Sequence, residues 1–177
     1  SHRHDSYVHT YNVSLDGVSK SVTSVGILAE SGGKIEFAAA NAANIINCGI
    51  LIQALTPGSH ITPSGKLTIS GCNTGLSLNR GCGVNFVSSF DPPITFSNCS
   101  DLCVDAFEGS IVKMQGTSDN PLKINGDVNL KNGSIGSMLF VDIDGQIDLY
   151  NSVLKLNNSN YQDVLTAYAS DVWFTGS

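Results

Sequence analysis

Residues 94–104 read ITFSNCSDLCV, and this stretch decides the fold. It holds two triplets, Ile94-Thr95-Phe96 and Leu102-Cys103-Val104, in which apolar residues flank a third residue of any kind. A period of two places both apolar side chains of a triplet on one face of a short strand. From Leu67 onward such triplets recur at short and fairly regular intervals, with turn residues between them. The pattern therefore predicts a solenoid with one small strand on each face.

The triplets sort into three columns, which predict an all-β parallel β-helix with three strands and roughly 26 residues per coil. The columns begin at Leu67, Ile94, Leu122 and Leu154; at Leu76, Leu102, Leu139 and Leu165; and at Val84, Val112, Ile147 and Val172. Residues 34–177 are expected to form the solenoid and residues 1–33 an N-terminal strand region that caps its open end. The leftover triplet Val128–Leu130 is expected in a lateral excursion, and Phe37–Ile46 is the best candidate for a helical turn or two.

Composition and charge exclude several classes of function. The 177 residues are 41% apolar and only 14% charged, with 18 glycines, which suits an all-β protein rich in tight turns. The net charge is −6, and nucleic-acid binding is not expected because phosphate contacts need clustered Lys and Arg. No apolar stretch approaches a membrane span and no signal peptide is visible. The first residues resemble a start within a longer protein, so we expect a fragment.

The cysteine spacing predicts a stack of small side chains at one corner of successive coils. Cys48, Cys72 and Cys99 each follow a triplet after a small polar step, and each lies about one predicted coil after the one before. A disulfide within this set stays open, because stacked positions do not guarantee the required Cβ geometry. No C-x₂-C pair occurs, so zinc is not expected. The three histidines at positions 2, 4 and 9 are more typical of a terminal tag than of a metal site, and no metal or cofactor is predicted.

Outward carboxylates are the candidate catalytic groups. Strand alternation through Leu102–Val104 and Leu139–Val141 turns Cys103, Asp105 and Asp142 outward. One outward strip is expected to contain Asp105, Asp142, Asp144 and Tyr168, with Asp105 one coil below Asp142. Neighbouring coils would supply either carboxylate separation used in glycoside hydrolysis, about 5–5.5 Å or about 6.5–9.5 Å. Outward aspartates that only keep the surface soluble are the simpler interpretation.

Outward aromatic residues are the candidate ligand contacts. The triplet register turns Phe140 and Trp173 outward. Tyr168 follows the triplet Leu165-Thr166-Ala167 and is also expected outward. Such rings suit carbohydrate stacking and equally suit a subunit interface. Trp173 lies in the final triplet, where Val172 and Phe174 are expected inward. A single chain would leave the Trp173 indole in water beside an uncapped apolar coil. We therefore expect a homotrimer in which Trp173 or Phe140 contacts a neighbouring chain.

The alternation of triplets and turns resembles the right-handed parallel β-helix of pectate-lyase-like proteins, in particular the shafts of bacteriophage tailspikes and tail fibres. The residues that carry the resemblance are Gly65–Cys72, Pro93–Cys99 and Gly145–Ser152. It covers about two-thirds of the chain, from Ile61 to Phe174, and is specific for fold rather than function. The family's catalytic signatures do not carry over, because the chain has no Asp-Asp pair, Gly-His-Gly or Arg-x-Lys.

The resemblance implies a trimeric segment of a phage tail fibre or tailspike that attaches to bacterial surface polysaccharide. Its location would be the virion tail, outside the cell, with no membrane insertion. One alternative is a polysaccharide depolymerase, a glycosidase that uses Asp105, Asp142 or Asp144, although catalysis is not the favoured interpretation for this segment. A second alternative is the passenger adhesin of a bacterial autotransporter, which shares the same pattern of triplets and turns.

Overall fold

The structure, a computed structural model, describes residues 7–11, 15–16 and 25–176 and contains no helix within them. The strands are β1 (Tyr7–Tyr11), β2 (Leu15–Asp16), β3 (Val25–Ala29), β4 (Lys34–Ile46), β5 (Ile50–Ala54), β6 (His60–Leu78), β7 (Gly83–Val87), β8 (Thr95–Ala106), β9 (Ile111–Gln115), β10 (Leu122–Asn125), β11 (Val128–Lys131), β12 (Ile135–Leu139), β13 (Val141–Asp144), β14 (Ile147–Tyr150), β15 (Val153–Asn157), β16 (Asn160–Tyr161), β17 (Leu165–Tyr168) and β18 (Asp171–Thr175). They form one large parallel sheet that curls on itself. The all-β prediction is confirmed.

Strands that lie three places apart in the chain pair with one another. In one column, β9 pairs with β12, β12 with β15 and β15 with β18, all in parallel. In the other two columns, β10 pairs with β13, β11 pairs with β14, and β14 pairs with β17. The chain therefore returns to the same column after three strands, which is compatible with a solenoid-like fold. We call the column of β10, β13 and β16 face A, that of β11, β14 and β17 face B, and that of β9, β12, β15 and β18 face C.

The coils shorten along the chain, which overturns part of the predicted columns. Leu76 pairs with Val104 and Val128 pairs with Ile147, and the chain between the second pair is much shorter than the chain between the first. The excursion predicted at Val128–Leu130 is wrong, because these residues form β11 between β8 and β14 in face B. The predicted length of roughly 26 residues per coil is therefore too long for the later coils. It misassigned several residues to neighbouring columns.

Several of the predicted column members lie elsewhere. Leu102 pairs with Thr74 rather than with Leu76. Leu154 lies in face C opposite Gly136, and Ile147 lies in face B opposite Val128. Leu122 keeps its predicted column, because its neighbour Lys123 pairs with Thr95 and Thr95 pairs with Thr68. The segment Phe37–Ile46, expected to be helical, is part of strand β4. Strand β4 pairs in parallel with β6 on both sides of a register shift between Ala39 and Ala43, and this tertiary pairing overrides the high helix propensity of the alanines.

The core is a continuous column of apolar side chains enclosed by the three faces. Val104, Val141 and Ile147 are completely buried, as predicted. Phe86 and Phe96 meet edge to face inside it, with ring centroids 5.2 Å apart. Burial of alternate residues on every face fixes which side chains remain outside, and these outer rows carry the candidate site.

The turn between faces B and C repeats with left-handed residues and buried serines. Glu108 and Asn132 have positive φ and each precedes a glycine that is also left-handed. The hydroxyl of Ser110 donates to the carbonyl of Phe107 at 2.6 Å, and that of Ser134 to the carbonyl of Lys131 at 2.7 Å. These bonds satisfy buried hydroxyl groups and hold the residue before each corner in the same place on successive coils.

The N-terminal strands pair with the rest of the sheet in the same way. β1 pairs in parallel with β4, from Tyr7 opposite Lys34 to Tyr11 opposite Ala38. β2 pairs with the second half of β4, and β3 pairs with β5. The histidines at positions 2 and 4 lie outside the described residues.

Candidate functional site

Two adjacent rows of side chains on the outside of face B form the candidate site. The inward residues of this face are apolar and buried, so the intervening residues point outward. The first row, which we call the polar row, consists of Ser77, Asp105, Asn129, Asp148 and Thr166, each paired with the next across neighbouring strands. The second, the aromatic row, lies two residues further along the strands and consists of Phe107, Lys131, Tyr150 and Tyr168.

The centre of the polar row is shielded from solvent. Ser77 and Asn129 are only 7% and 8% exposed although they lie on the outer side of the sheet. The side-chain oxygens Oδ1 of Asp105 and Oδ1 of Asn129 are buried, and neither has a hydrogen-bond partner among the described residues. Buried acceptors without a donor are rare in native structures and mark places where a ligand or water completes the bonding. Asp105 and Asn129 are paired residues, so the two unsatisfied oxygens lie beneath the same part of face B.

The carboxyl group of Asp105 has unusual acid–base properties. Burial raises its pKa to about 6, against the opposing influence of Lys131 and with a further increase from Asp101. Desolvation disfavours the ionised form of a carboxyl group, and here it outweighs the nearby ammonium group. Asp105 can therefore hold or release a proton near neutral pH, as functional carboxyl groups often do.

Asp148 is oriented by a neighbouring side chain. The amide Nε2 of Gln146 donates to Oδ1 of Asp148 at 2.8 Å, and the backbone N–H of Gln146 donates to Oδ1 of Asp127 at 2.8 Å. Asp148 lies two strands from Asp105 with Asn129 between them. Two strand spacings separate their backbones by about 9.5 Å. The polar row thus presents two carboxyl groups around a central amide.

The aromatic row forms a continuous stack beside these groups. The Nζ atom of Lys131 lies 5.0 Å from the ring centroid of Phe107 and 5.9 Å from that of Tyr150. Tyr150 in turn stacks on Tyr168, with centroids 5.1 Å apart. Both tyrosines remain well exposed, Tyr168 at 58%. Exposed rings held in a fixed array offer flat contact area at low entropic cost.

The structure separates the predicted carboxylates. Asp105 pairs with Asn129 on face B, whereas Asp142 pairs with Lys123 and Asp144 with Asn125 on face A. The predicted single strip is therefore wrong, because the shortened coils place Ile147, not Val141, in the same face as Val104. Asp142 is outward and accepts a hydrogen bond from Nδ2 of Asn160 at 2.9 Å, and Asp144 is exposed.

The predicted aromatic contacts also lie in different places. Tyr168 belongs to the aromatic row of face B. Trp173 points outward from face C, as predicted, and is 57% exposed. Phe140 is not a strand residue: it forms the corner between β12 and β13, with φ of 51°, and is half-buried. Phe174 was expected inward, but it is 58% exposed because no described strand covers β18.

Sequence reasoning also assigned Cys103 and Leu139 wrongly. Cys103 was expected outward, yet it is completely buried at the corner between faces A and B, where its sulfur lies against Gly126. Leu139 was expected inward and is half-buried, because Met138 takes the inward position. In both places the chain turns a corner within the predicted triplet, so simple alternation fails.

Several members of the two rows were not recognised in the sequence, namely Phe107, Asn129, Lys131 and Asp148. A signal for three coils was present: residues 128–131, 147–150 and 165–168 read VNLK, IDLY and LTAY. Each places a polar residue between two apolar ones and a long side chain at the fourth position. Aligning these tetrads directly with one another, without a fixed coil length, predicts the rows.

Within the described residues, no group of three or more His, Cys, Asp or Glu side chains is suited to hold a metal ion. No helix among those residues is long and apolar enough to cross a membrane. Comparisons with known protein families, with curated proteins and with solved structures find no match to this chain.

Proposed function

We propose that the chain is an attachment segment that binds bacterial surface polysaccharide through face B. The observation that carries the proposal is the position of the shielded polar row directly beside the exposed aromatic row. Sugar rings present hydroxyl groups at their edges and apolar C–H groups on their faces. The half-exposed side chains of Asp148 and Lys131 suit the first, and the rings of Tyr150 and Tyr168 suit the second.

The repeat along face B suits a polymer better than a small molecule. Successive coils present equivalent side chains at intervals of about 4.8 Å, so the rows extend across at least four strands. The surface is open rather than a closed cavity, and an extended chain can lie along it. This arrangement fits a right-handed parallel β-helix of the phage tail-fibre or tailspike type, exposed on the virion tail outside the cell.

Direct binding to purified polysaccharides tests the proposal. Titration calorimetry with a panel of bacterial capsular and O-antigen polysaccharides should give saturable binding for at least one of them. Tyr150→Ala should weaken that binding by roughly tenfold, the equivalent of about 1.4 kcal/mol. The matched control is Tyr161→Ala, because Tyr161 is also about two-fifths exposed but lies on face A. Equal loss in both variants, or no binding to any polysaccharide, would contradict the proposal.

Homotrimer formation is part of the same proposal, and face C supports it. Ile111 and Ile135 are paired on neighbouring strands and are about 40% exposed. Val153 continues this apolar row, and Trp173 lies beside it, next to a surface hollow of about 440 Å³. Lys155 is the strand partner of Trp173, so the surface combines exposed apolar side chains with one cation. Exposed apolar side chains grouped in this way are typical of an interaction surface. Association about the long axis through face C would leave face B free for polysaccharide.

A second candidate function, polysaccharide hydrolysis, is favoured by one specific observation. Asp105 keeps a proton up to about pH 6, which suits a general acid, and Asp148 lies two strands away. A backbone separation of about 9.5 Å is near the upper end of the carboxylate spacing in inverting glycosidases. Release of reducing ends that is lost in Asp105→Asn and kept in Asp144→Asn would establish this activity. Binding without any release would leave attachment as the function.

A further inference from the structure

Three cysteines meet at the corner between faces A and B. Cys72 and Cys99 are paired residues on the neighbouring strands β6 and β8, and Sγ of Cys72 donates a hydrogen bond to Sγ of Cys99 at 3.2 Å. Cys103, four residues further along β8 at the same corner, contacts the same sulfur. All three are free thiols in the structure. The predicted cysteine stack is confirmed for Cys72 and Cys99, and Cys103 joins them although the spacing did not reveal it.

The backbone geometry of the first pair suits a disulfide. Paired Cα atoms on neighbouring parallel strands are about 4.8 Å apart, which falls within the range of about 4.4–6.8 Å found for disulfides. Gly75 leaves the space for this contact, because a Cβ atom there would lie 3.3 Å from Sγ of Cys99 and 2.7 Å from the carbonyl oxygen of Cys103. Cys82 offers a contrast, since its thiol donates to the carbonyl of Thr56 instead.

The three thiols differ in exposure and in acidity. Cys99 is partly exposed, whereas Cys72 and Cys103 are buried. The neighbouring thiols of Cys103 and Cys72 lower the pKa of Cys99 and favour its thiolate. The Cys103 thiol itself donates to the carbonyl of Asn125 at 3.4 Å. The bond to Cys99, together with burial, raises the pKa of Cys72. An accessible thiolate beside a protonated, buried thiol is the arrangement found at reactive cysteines that have a resolving partner.

We propose that Cys99 is a nucleophilic thiol that reacts with small-molecule disulfides, and that Cys72 resolves the product into a Cys72–Cys99 bond across two coils. In the first step the Cys99 thiolate attacks one sulfur of the disulfide and expels the other half as a thiolate. In the second step the Cys72 sulfur attacks Sγ of Cys99 and expels the remaining half. The two protons of the protein thiols end on the two released thiols, so one disulfide is reduced as one is formed.

Oxidation with glutathione disulfide tests the proposal on the wild-type chain. The reduced protein is incubated with the disulfide, free thiols are blocked with N-ethylmaleimide, and the linked peptides are mapped by mass spectrometry. The protein should lose two of its five thiols and show a link between Cys72 and Cys99. The melting temperature should rise by roughly 5–10 °C, because the bond closes a long loop in the unfolded chain. A link between Cys99 and Cys103 instead, or no protein disulfide, would overturn the proposal.

Single variants separate the two roles. Cys72→Ser should stop at a stable mixed disulfide on Cys99, whereas Cys99→Ser should react at least tenfold more slowly with the probe. Cys82→Ser is the matched control and should form the same bond at the wild-type rate, since its thiol lies apart from the cluster. Unchanged reactivity of Cys99→Ser would contradict the role of Cys99. If that variant fails to fold, the peptide map of the wild-type chain still decides the pairing.

Discussion

Tyr150 and Tyr168 stack face to face on neighbouring strands, with ring centroids 5.1 Å apart and ring planes within 12°. The stack follows from parallel pairing in register, which places the last residues of β14 and β17 side by side. Because β11 contributes Lys131 at the same position, a cation extends the array on the opposite side of Tyr150. This array is the surface feature on which the proposed binding of polysaccharide depends most.

Removal of the outer ring of this stack should weaken polysaccharide binding. Tyr168→Ala deletes a contact of about 0.5–1.5 kcal/mol, so the dissociation constant should rise roughly threefold to tenfold. Tyr168→Phe keeps the ring and should bind within about twofold of the wild-type protein. Titration calorimetry at constant ionic strength measures both. A Phe variant that loses as much affinity as the Ala variant would show that the hydroxyl group, not the ring, makes the contact.

The raised pKa of Asp105 predicts a dependence of stability on pH. Between about pH 4 and pH 6 the unfolded chain releases this proton while the folded chain keeps it, so the free energy of unfolding falls as pH rises. The loss is complete above about pH 6. The Asp105→Asn protein does not undergo this loss of stability. At pH 7.5 it should melt roughly 2–4 °C higher than the wild-type protein, because its free energy of unfolding is higher by about 1 kcal/mol after allowance for the partial exposure of Asp105.

The same pair of proteins provides the control for that prediction. Near pH 3.5 both the folded and unfolded wild-type chains are protonated at Asp105, so the advantage of Asp105→Asn should vanish. Calorimetric melting curves at the two pH values give the comparison. An advantage of equal size at both values would show that the substitution acts through packing or hydrogen bonding rather than through the proton.

Neighbouring residues of β13 should respond oppositely to substitution. Val141 is completely buried, so Val141→Asp places a charge in the core at a cost of several kcal/mol and should abolish folding. Asp142→Asn, one residue later, faces outward and keeps an oxygen that can accept from Asn160, so it should change stability by less than about 0.5 kcal/mol. Circular dichroism and thermal melting distinguish the two. Comparable melting temperatures would mean that the strand register is wrong by one residue.

Trp173 should report on assembly. Its indole is 57% exposed in the single chain, so association through face C should bury it and shift its fluorescence to shorter wavelength. Sedimentation at micromolar concentration should give three times the chain mass of 18.6 kDa. Trp173→Ala should weaken the trimer, whereas Tyr168→Ala, on face B, should not. A monomer at that concentration, or emission typical of indole in water, would argue against the trimer.

Part of the candidate site could be predicted from the sequence and part could not. The outward direction of Asp105 follows from its place between the buried residues Val104 and Ala106. The residue that pairs with Asp105 in the next coil cannot be predicted in this way, because the pairing depends on the number of residues in each coil. The coil that joins Leu76 to Val104 is much longer than the coil that joins β11 to β14. The tetrads at 128–131, 147–150 and 165–168 mark the shorter coils, but the predicted columns did not use them, so Asp142 was placed where Asn129 lies.

The sequence by itself determined that the chain is all-β and which residues are buried wherever a triplet does not cross a corner. Both depend on local alternation, a property of a few consecutive residues. Only the tertiary structure decided which coils meet, that three thiols share one corner, and that Phe140 is a corner residue. These features depend on register between segments a whole coil apart in the chain and on where the backbone turns. Alternation cannot encode them, because a triplet has the same pattern whether it crosses a corner or not.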